Sequence, residues 1–378
     1  MGTLTKARPF RCCLSPVLAS QRAALDKVLT DIEDTFGKGA VMRLGDKPTE
    51  KVATFSSGSL TLDLALGGGI PRGRIIEIFG PESSGKTTLA MHAMASAQRA
   101  GGNAALIDAE HAFDATYGEK MGLNVRDLLL SQPSSGEEAL EIADRLCRSH
   151  SVDVIAVDSV AALVPQTEIQ GEMGMVQVGA QARLMSQALR KLAISASKTG
   201  TTVIFLNQLR NKIGVLYGSP ETTSGGNALK FYASCRMDIR RIGTIPDKPA
   251  AGESHTGIRC KVKVVKNKVA PPYRIAEFDV MFGSGISHAG CVVDAAEQAG
   301  IIVRKGSWYS YKDQQLGQGR DKTLAALQAD AALCADIEAA VRTQLDSIPV
   351  PIEAGDGEDD EGSEEAVLLD EAGEVSAR

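Results

Sequence analysis

Short apolar runs at residues 75–79, 104–107, 152–157 and 202–206 punctuate the middle of the chain, and stretches of helical periodicity separate them. A strand covered on both faces has no polar side to show, so continuous apolar runs of this length predict buried strands. Strands alternating with helices imply right-handed crossovers and a parallel sheet, hence an α/β fold. Farther on, residues 261–265 and 275–282 are strand-like and predict antiparallel additions at one side of that sheet. Ahead of all these, Leu25, Val28, Leu29, Ile32 and Phe36 recur with helical spacing, predicting an amphipathic helix over residues 23–36. Its one apolar stripe needs a cover, either its own core or a neighbouring subunit, and the pattern leaves both open.

Four zones follow. A disordered basic leader (1–22) and the amphipathic segment (23–50) precede a large core (51–286); a small mixed domain (287–350) and an acidic tail (351–378) follow it. At 378 residues, 43% hydrophobic and 23% charged, the chain has enough apolar side chains for one substantial core plus small satellites. No apolar run approaches the roughly 18 residues that a membrane-spanning helix requires. Seven cysteines without CxxC spacing, with Cys235 and Cys260 in strand-like segments, suggest a reducing compartment and no zinc site. The cytoplasm is the expected location, with an organelle the alternative should Lys6, Arg8, Arg11 and Arg22 belong to a targeting leader.

The net charge of −6 hides an asymmetry. Residues 353–378 hold eleven acids and one Arg, which leaves 40 basic against 36 acidic residues elsewhere. Such a tail is ordinarily solvated and disordered. A sharper reading has it compete with a polyanion for the basic surface of the body, which tail deletion followed by a binding assay tests.

Gly80-Pro81-Glu82-Ser83-Ser84-Gly85-Lys86-Thr87 matches GxxxxGK[ST], after a predicted strand and before a helix starting near Thr88. In such a loop glycines let backbone N–H groups converge on phosphates, and the helix N-terminus adds partial positive charge. Lys86 is expected to reach the β- and γ-phosphates of ATP, and Thr87 to ligate Mg²⁺. The apolar strand before Asp158 places that carboxylate at the carboxyl edge of the sheet, where it fits the magnesium shell. Glu110 and Asp108 both close the strand near residues 104–108, and either can orient and deprotonate the water that attacks the γ-phosphate. Spacing does not separate the two. Gln208, just past the strand at 203–206, offers an amide able to sense the γ-phosphate, although such a residue is more often plain surface.

Taken together, the blocks FGKGAVMRLG (36–45), GPESSGKTT (80–88), LIDAEH (106–111), VDSVAA (157–162), QARLMSQALRK (181–191), NQLR (207–210), GGNALKFYAS (225–234), VVKNK (264–268) and WYSY (308–311) resemble the RecA family of bacterial recombinases over roughly residues 25–340. The resemblance implies a RecA-type ATPase core with a mostly parallel central sheet, an N-terminal helix and a small α+β C-terminal domain. It also implies a filament on single-stranded DNA, ATP at each subunit interface, and strand exchange with homologous duplex. By resemblance Glu110 is the water-activating base, Gln208 the γ-phosphate sensor, and Asp114 and Tyr117 the residues around the adenine. Lys266 and Lys268 would reach the neighbour's ATP, although a solvated strand end is the plainer reading of both. A LexA-like repressor, activated for self-cleavage, is a further implied partner.

Residues 170–179 and 209–227 resemble the family's two DNA-binding loops. Phosphate contacts would come from Ser186, Arg190, Gly225, Gly226 and Asn227, with Arg183, Arg210 and Lys212 supplying charge, while Val178 and Ile213 would wedge between groups of bases. The helix at 23–36 and Phe231 would pack on the adjacent subunit; the alternative for Phe231 is a core aromatic. Two departures stand out. Met175-Val176-Gln177 makes the first loop less acidic than in many relatives, and Ala289 replaces an aromatic often found near the nucleotide. Two rivals remain on the same fold, a ring-forming motor and a catalytically silent DNA-binding protein.

Overall fold

The computed structural model describes residues 16–37, 40–41, 52–172, 177, 179–211, 220–246, 255–312, 314–344 and 348–353. The chain divides into two units at Lys51. In the first, helix α1 (Pro16–Phe36) begins at Pro16 rather than at residue 23, so the end of the expected leader is helical. Proline is well placed to open a helix, since its missing N–H has no partner there anyway, and Leu18, Ala19, Gln21 and Arg22 favour the conformation. Along that stripe Leu25, Val28 and Phe36 are 50%, 51% and 75% exposed, and Leu29 and Ile32 are half-buried.

The second unit opens with β1 (Thr54–Phe55), α2 (Leu60–Leu66) and β2 (Ile70–Pro71). Strand and helix then alternate through β3 (Ile75–Gly80), α3 (Lys86–Arg99), β4 (Ala104–Asp108), α4 (Ala115–Lys120), β5 (Leu129–Ser131), α5 (Gly136–Arg148) and β6 (Val154–Asp158). After α6 (Gln166–Ile169) and α7 (Ala180–Thr199) come β7 (Thr202–Asn211), β8 (Glu221–Thr223), α8 (Ala228–Tyr232), β9 (Cys235–Pro246), β10 (His255–Asn267), β11 (Ile275–Met281) and β12 (Gly285–Ile286). The chain closes with α9 (His288–Gln298), a three-stranded sheet of β13 (Ile302–Lys305), β14 (Trp308–Tyr311) and β15 (Gln314–Gln318), then α10 (Arg320–Ala329) and α11 (Ala331–Thr343).

The large sheet runs β12-β11-β10-β9-β3-β7-β6-β4-β5, with β8 paired to β7. Its β9-β3-β7-β6-β4-β5 section is parallel, and β10, β11 and β12 extend it antiparallel on one side, as the apolar pattern predicts. Side chains alternate across a strand, so β3 sends Ile76 and Ile78 into one core and Ile75 into the other. Burying each such residue contributes about 1.5–3 kcal/mol. On β10 the same alternation buries Val262 and Val264 and leaves Lys261 and Lys263 half-buried. Parallel strands share a carboxyl edge; β3, β4 and β6 end there together, and β7 runs past it to pair with β8. Ligands of open α/β sheets bind along this edge.

The first core does not stop near residue 286. It continues through Val292, Ile302, Tyr311, Leu327 and Ile337, because α9 packs on α2 and β11 and carries the small sheet with it. Charge fastens the same junction: Arg259 and Arg320 both bind Asp279 and Asp294. The acidic tail from residue 354 lies outside the described residues. Just before it, Glu353 pairs with Lys261 at 3.0 Å. No helix among the described residues is long and apolar enough to cross a membrane.

His92, buried on α3, accepts a hydrogen bond at Nε2 from the Ile286 N–H at 2.9 Å. Gly285 makes room for the ring, since a Cβ there would lie 2.2 Å from Nε2. Burial, helped by the Arg99 charge, pushes the imidazole down to about 4. The unfolded chain therefore takes up this proton first as pH falls, and the contribution of His92 to stability, complete above its ordinary value near 6.5, is lost towards 4. Wild type is expected to lose about 2 kcal/mol more than His92→Gln between about pH 7.5 and pH 5. Urea unfolding of both proteins checks this, because Asp63 and Asp158, which titrate in the opposite sense, are present in each and cancel. A pH-independent gap between the two would mean that His92 titrates alike in both states.

Candidate functional site

The phosphate loop leaves the end of β3 and enters α3. Gly80 is obligatory at its start, since a Cβ there would lie 2.1 Å from the Ile239 carbonyl oxygen. At the other end Gly85 caps α3 with φ of 95°, a left-handed conformation that a side chain would strain, and it offers no side-chain acceptor. The first N–H groups of α3 therefore carry no cap, the condition under which a helix start binds an anion. Ser84 Oγ is buried and has no protein partner. Both features fit an incoming phosphate, the first by charge and the second by an unspent hydroxyl. Pro81, Glu82 and Ser83 are exposed.

Lys86 folds back on the loop, donating to the carbonyls of Gly80 at 3.1 Å and Pro81 at 2.7 Å. Burial lowers its affinity for the proton, and the carboxylates of Asp158, Glu110 and Glu82 oppose that. Thr87 donates to Asp158 Oδ2 at 2.8 Å, joining α3 to the end of β6. Burial pushes Asp158 up to about 6, against the Thr87 bond. A hydroxyl and a carboxylate oxygen side by side are the hard donors that magnesium prefers. Thr88 shares a hydrogen bond with the Tyr117 hydroxyl at 3.1 Å. Asp114 caps α4 through the Thr116 N–H at 2.8 Å, a structural use beside the expected adenine contact.

The two carboxylates that spacing left equivalent sit in different surroundings. Asp108 is buried and already accepts the N–H groups of Ala112 and Phe113 and the Gln132 amide, at 3.2, 3.1 and 3.0 Å. Glu110 is exposed, and one of its oxygens accepts the Ser159 hydroxyl at 2.6 Å and the Gln208 amide at 3.0 Å. Ser159 escaped the sequence reading. Its place directly after Asp158 is the signal that could have found it.

Gln208 is tied to the segment that follows β8. The Ser224 N–H reaches the Gln208 carbonyl at 3.4 Å, and Asn207 Nδ2 donates to the Ser224 carbonyl at 2.9 Å. Asn207 also donates to Glu77 Oε1 at 2.9 Å, and Glu77 Oε2 receives Arg236 Nε at 2.6 Å. Glu77 and Arg236 escaped the sequence reading as well. An acid inside the apolar run of β3 marks Glu77, whereas nothing in the sequence marks its partner.

Gly225 and Gly226 follow Ser224 at φ of 82° and 76°; Cβ atoms there would meet Val160 and Ala182 at 2.7 Å. Asn227 next to them is exposed. On α7, Arg183, Ser186 and Arg190 fall on one face by helical spacing, both arginines are exposed, and the Ser186 hydroxyl back-bonds to the Ala182 carbonyl at 2.8 Å. Arg210 is exposed near the end of β7. Val178, Lys212 and Ile213 lie outside the described residues, as does the Met175-Val176 departure. Ala289 is buried in the first turn of α9.

Lys266 and Lys268 are placed together, at the end of α8. Both donate to the Phe231 carbonyl, at 3.1 and 3.3 Å, and Lys266 also bonds the Lys230 carbonyl. Carbonyls at a helix end attract cations, so these lysines are not a freely solvated strand end. Burial and the charges of Lys268 and Arg236 make the Lys266 proton easier to lose. Phe231 itself is 71% exposed, which rules out the core-aromatic reading.

Comparison with known proteins matches this sequence to one family. The RecA N-terminal domain profile covers residues 23–287, and the RecA C-terminal domain profile covers residues 290–346. Protein RecA of Gloeothece citriformis (strain PCC 7424) is 60% identical over 348 residues, spanning 92% of this chain and 97% of the relative. That of Arthrospira platensis is 60% identical over 327 residues, 86% of this chain and 88% of the relative. Protein RecA of Synechocystis sp. (strain ATCC 27184 / PCC 6803 / Kazusa) is 57% identical over 349 residues, 92% and 98% of the two chains. With a phosphate loop, an edge carboxylate bridged to a glutamine of β7, and similarity running nearly end to end, the chain belongs to the RecA family.

Proposed function

We propose that the recombinase activity of this chain, a DNA-dependent ATPase that forms filaments on single-stranded DNA and exchanges strands with a homologous duplex, runs through Glu110, Gln208 and the segment after β8. The observation that carries the reading is the shared Glu110 oxygen. It binds Gln208, and Gln208 together with Asn207 is bonded to Ser224, next to Gly225 and Gly226. A change in what Glu110 and Gln208 bind at the sheet edge therefore reaches a DNA-contacting segment through two hydrogen bonds.

In this reading the triphosphate of ATP lies against the uncapped start of α3, with Lys86 leaving the Gly80 and Pro81 carbonyls to meet it. Gly80 to Thr88 form the cradle, and Asp114 and Tyr117 flank the base. Thr87 and Asp158 would hold magnesium, which when bound offsets the charge on the phosphate oxygens. Glu110 orients a water and takes its proton as the γ-phosphorus is attacked, and Ser159 fixes the carboxylate that does so. Lys266 and Lys268, held at the end of α8 beside exposed Phe231, serve the neighbour's nucleotide; the apolar stripe of α1 docks on an adjacent subunit. Ser186, Arg190, Gly225, Gly226 and Asn227 take DNA phosphates. Arg183, Arg210 and Lys212 add charge, and Val178 and Ile213 part the bases. A LexA-like repressor belongs to the reading as a partner, which a gel assay of repressor cleavage on the filament tests.

The direct test is strand exchange between circular single-stranded DNA and homologous linear duplex, with electron microscopy of the same samples. Joint molecules and helical filaments are expected with ATP and magnesium, and neither without nucleotide. Closed rings without filaments would favour the motor. Filaments without hydrolysis would favour the silent binding protein.

A further inference from the structure

Beside the junction of β12 and α9 lies a cavity of about 420 Å³, with apolar walls from Met281, Ile286, Ala289 and Leu327. Cys334, His288 and Glu338 line it together. Cys334 and Glu338 are one turn apart on α11 and so face the same way, and His288 is delivered by the first turn of α9. His288 Nε2 lies 3.0 Å from Glu338 Oε2, and its Nδ1 lies 3.9 Å from Cys334 Sγ. Arg342 holds the other Glu338 oxygen with two bonds, at 3.0 and 2.8 Å. The His288 bond, aided by Arg342, brings the Glu338 carboxyl down to about 2, so it is ionised. An ionised carboxylate can only accept, which puts a ring proton on Nε2; in the neutral ring Nδ1 then carries the lone pair, on the side of the thiol.

Thiol, imidazole and carboxylate thus stand in the order of a nucleophile, its base and the group that orients the base. Among the described residues, Cys235, Cys260 and Cys291 are arranged differently, contacting Asn267, the Ser84 carbonyl and the Ser59 hydroxyl. Burial keeps the Cys334 thiol protonated at rest, so its reaction depends on a base at hand. A carboxylate at the cavity disfavours anionic reactants, and the space suits a small neutral one.

We propose that Cys334 is a thiol modification site at which hydrogen peroxide is the reactant and His288 the general base. Nδ1 takes the Sγ proton, and the thiolate attacks one peroxide oxygen. The O–O bond breaks, and the departing hydroxide takes the proton back from the imidazolium to leave as water. Sulfur is oxidised to the sulfenic acid and the peroxide is reduced.

The test uses the full chain with Cys12→Ser and Cys13→Ser, treated with hydrogen peroxide in the presence of a 1,3-dicarbonyl probe for sulfenic acids and read by peptide mass spectrometry. Cys334 is expected to label at least about tenfold faster than Cys147, Cys235, Cys260 and Cys291, and His288→Gln to slow it about tenfold. His288→Ala separates the roles: the imidazole is largely exposed at the cavity, so if it merely shielded the thiol its removal would speed labelling, whereas loss of a base slows it. Glu338→Gln keeps the shape, removes the orienting charge, and is expected to slow labelling while His288 remains. Labelling of Cys334 no faster than the other four, or faster in either His288 variant, overturns the proposal.

Discussion

Replacing Glu110 with Gln is expected to lower steady-state ATP hydrolysis on single-stranded DNA by about 10²-fold or more, the usual consequence of losing a general base. Nucleotide and DNA binding are expected to persist. Glutamine has the same shape, and its carbonyl oxygen can still accept from Ser159 and Gln208, which bond Glu110 at 2.6 and 3.0 Å. It has no useful affinity for a proton. The comparison that gives the experiment its force is Asp108→Asn. Asp108 already accepts three donors that shape the turn from Ala112 to Phe113 and hold Gln132, so its lone pairs are committed. Changing it disturbs the backbone beyond β4, and its cost is expected as lost stability along with any lost rate. Single-turnover hydrolysis with saturating DNA, alongside nucleotide affinity and thermal unfolding, reads the two effects separately. Near-normal turnover in Glu110→Gln would move the base elsewhere.

The sheet was legible because both faces of its parallel section are covered, so β3, β4, β6 and the start of β7 had to be mainly apolar, with Glu77 the acid inside β3. Edges were less so. β7 runs on to Asn211, well past the apolar run that announces it, because its last residues pair with β8 through backbone bonds that no side chain reports. The C-terminal segment reads as a separate domain from its short strands and its position after the core. Yet α9 and α11 bury Val292, Ile337 and Val341 in the first core, a tertiary fact that periodicity cannot carry. At the site, the loop from Gly80 to Thr87 was legible since its spacing is the chemistry. The choice between Asp108 and Glu110 was not, because what distinguishes them is the set of donors each faces. Lys266 and Lys268 looked like a solvated strand end for the same reason: their partners are carbonyls of α8, distant in sequence.

Arg236→Met is expected to cost about 3–5 kcal/mol of stability, the range for removing one partner of a buried ion pair. Glu77 is fully buried, and its Oε2 takes the Arg236 Nε at 2.6 Å, while the guanidinium also lies 4.8 Å from the centre of the Phe79 ring. Methionine fills similar space but leaves a carboxylate in the sheet with Asn207 as its remaining side-chain partner. The sign of a second substitution is diagnostic. In Glu77→Met with Arg236→Met no charge is stranded, and Asn207 keeps the Ser224 carbonyl as an acceptor. The double variant is therefore expected to be more stable than Arg236→Met alone, although it carries one more change. Urea unfolding of the wild type, both single variants and the double variant measures this coupling. A loss below about 1 kcal/mol in Arg236→Met would place the pair among screened surface contacts, and Asn207 would then hold its Glu77 bond without help from the arginine.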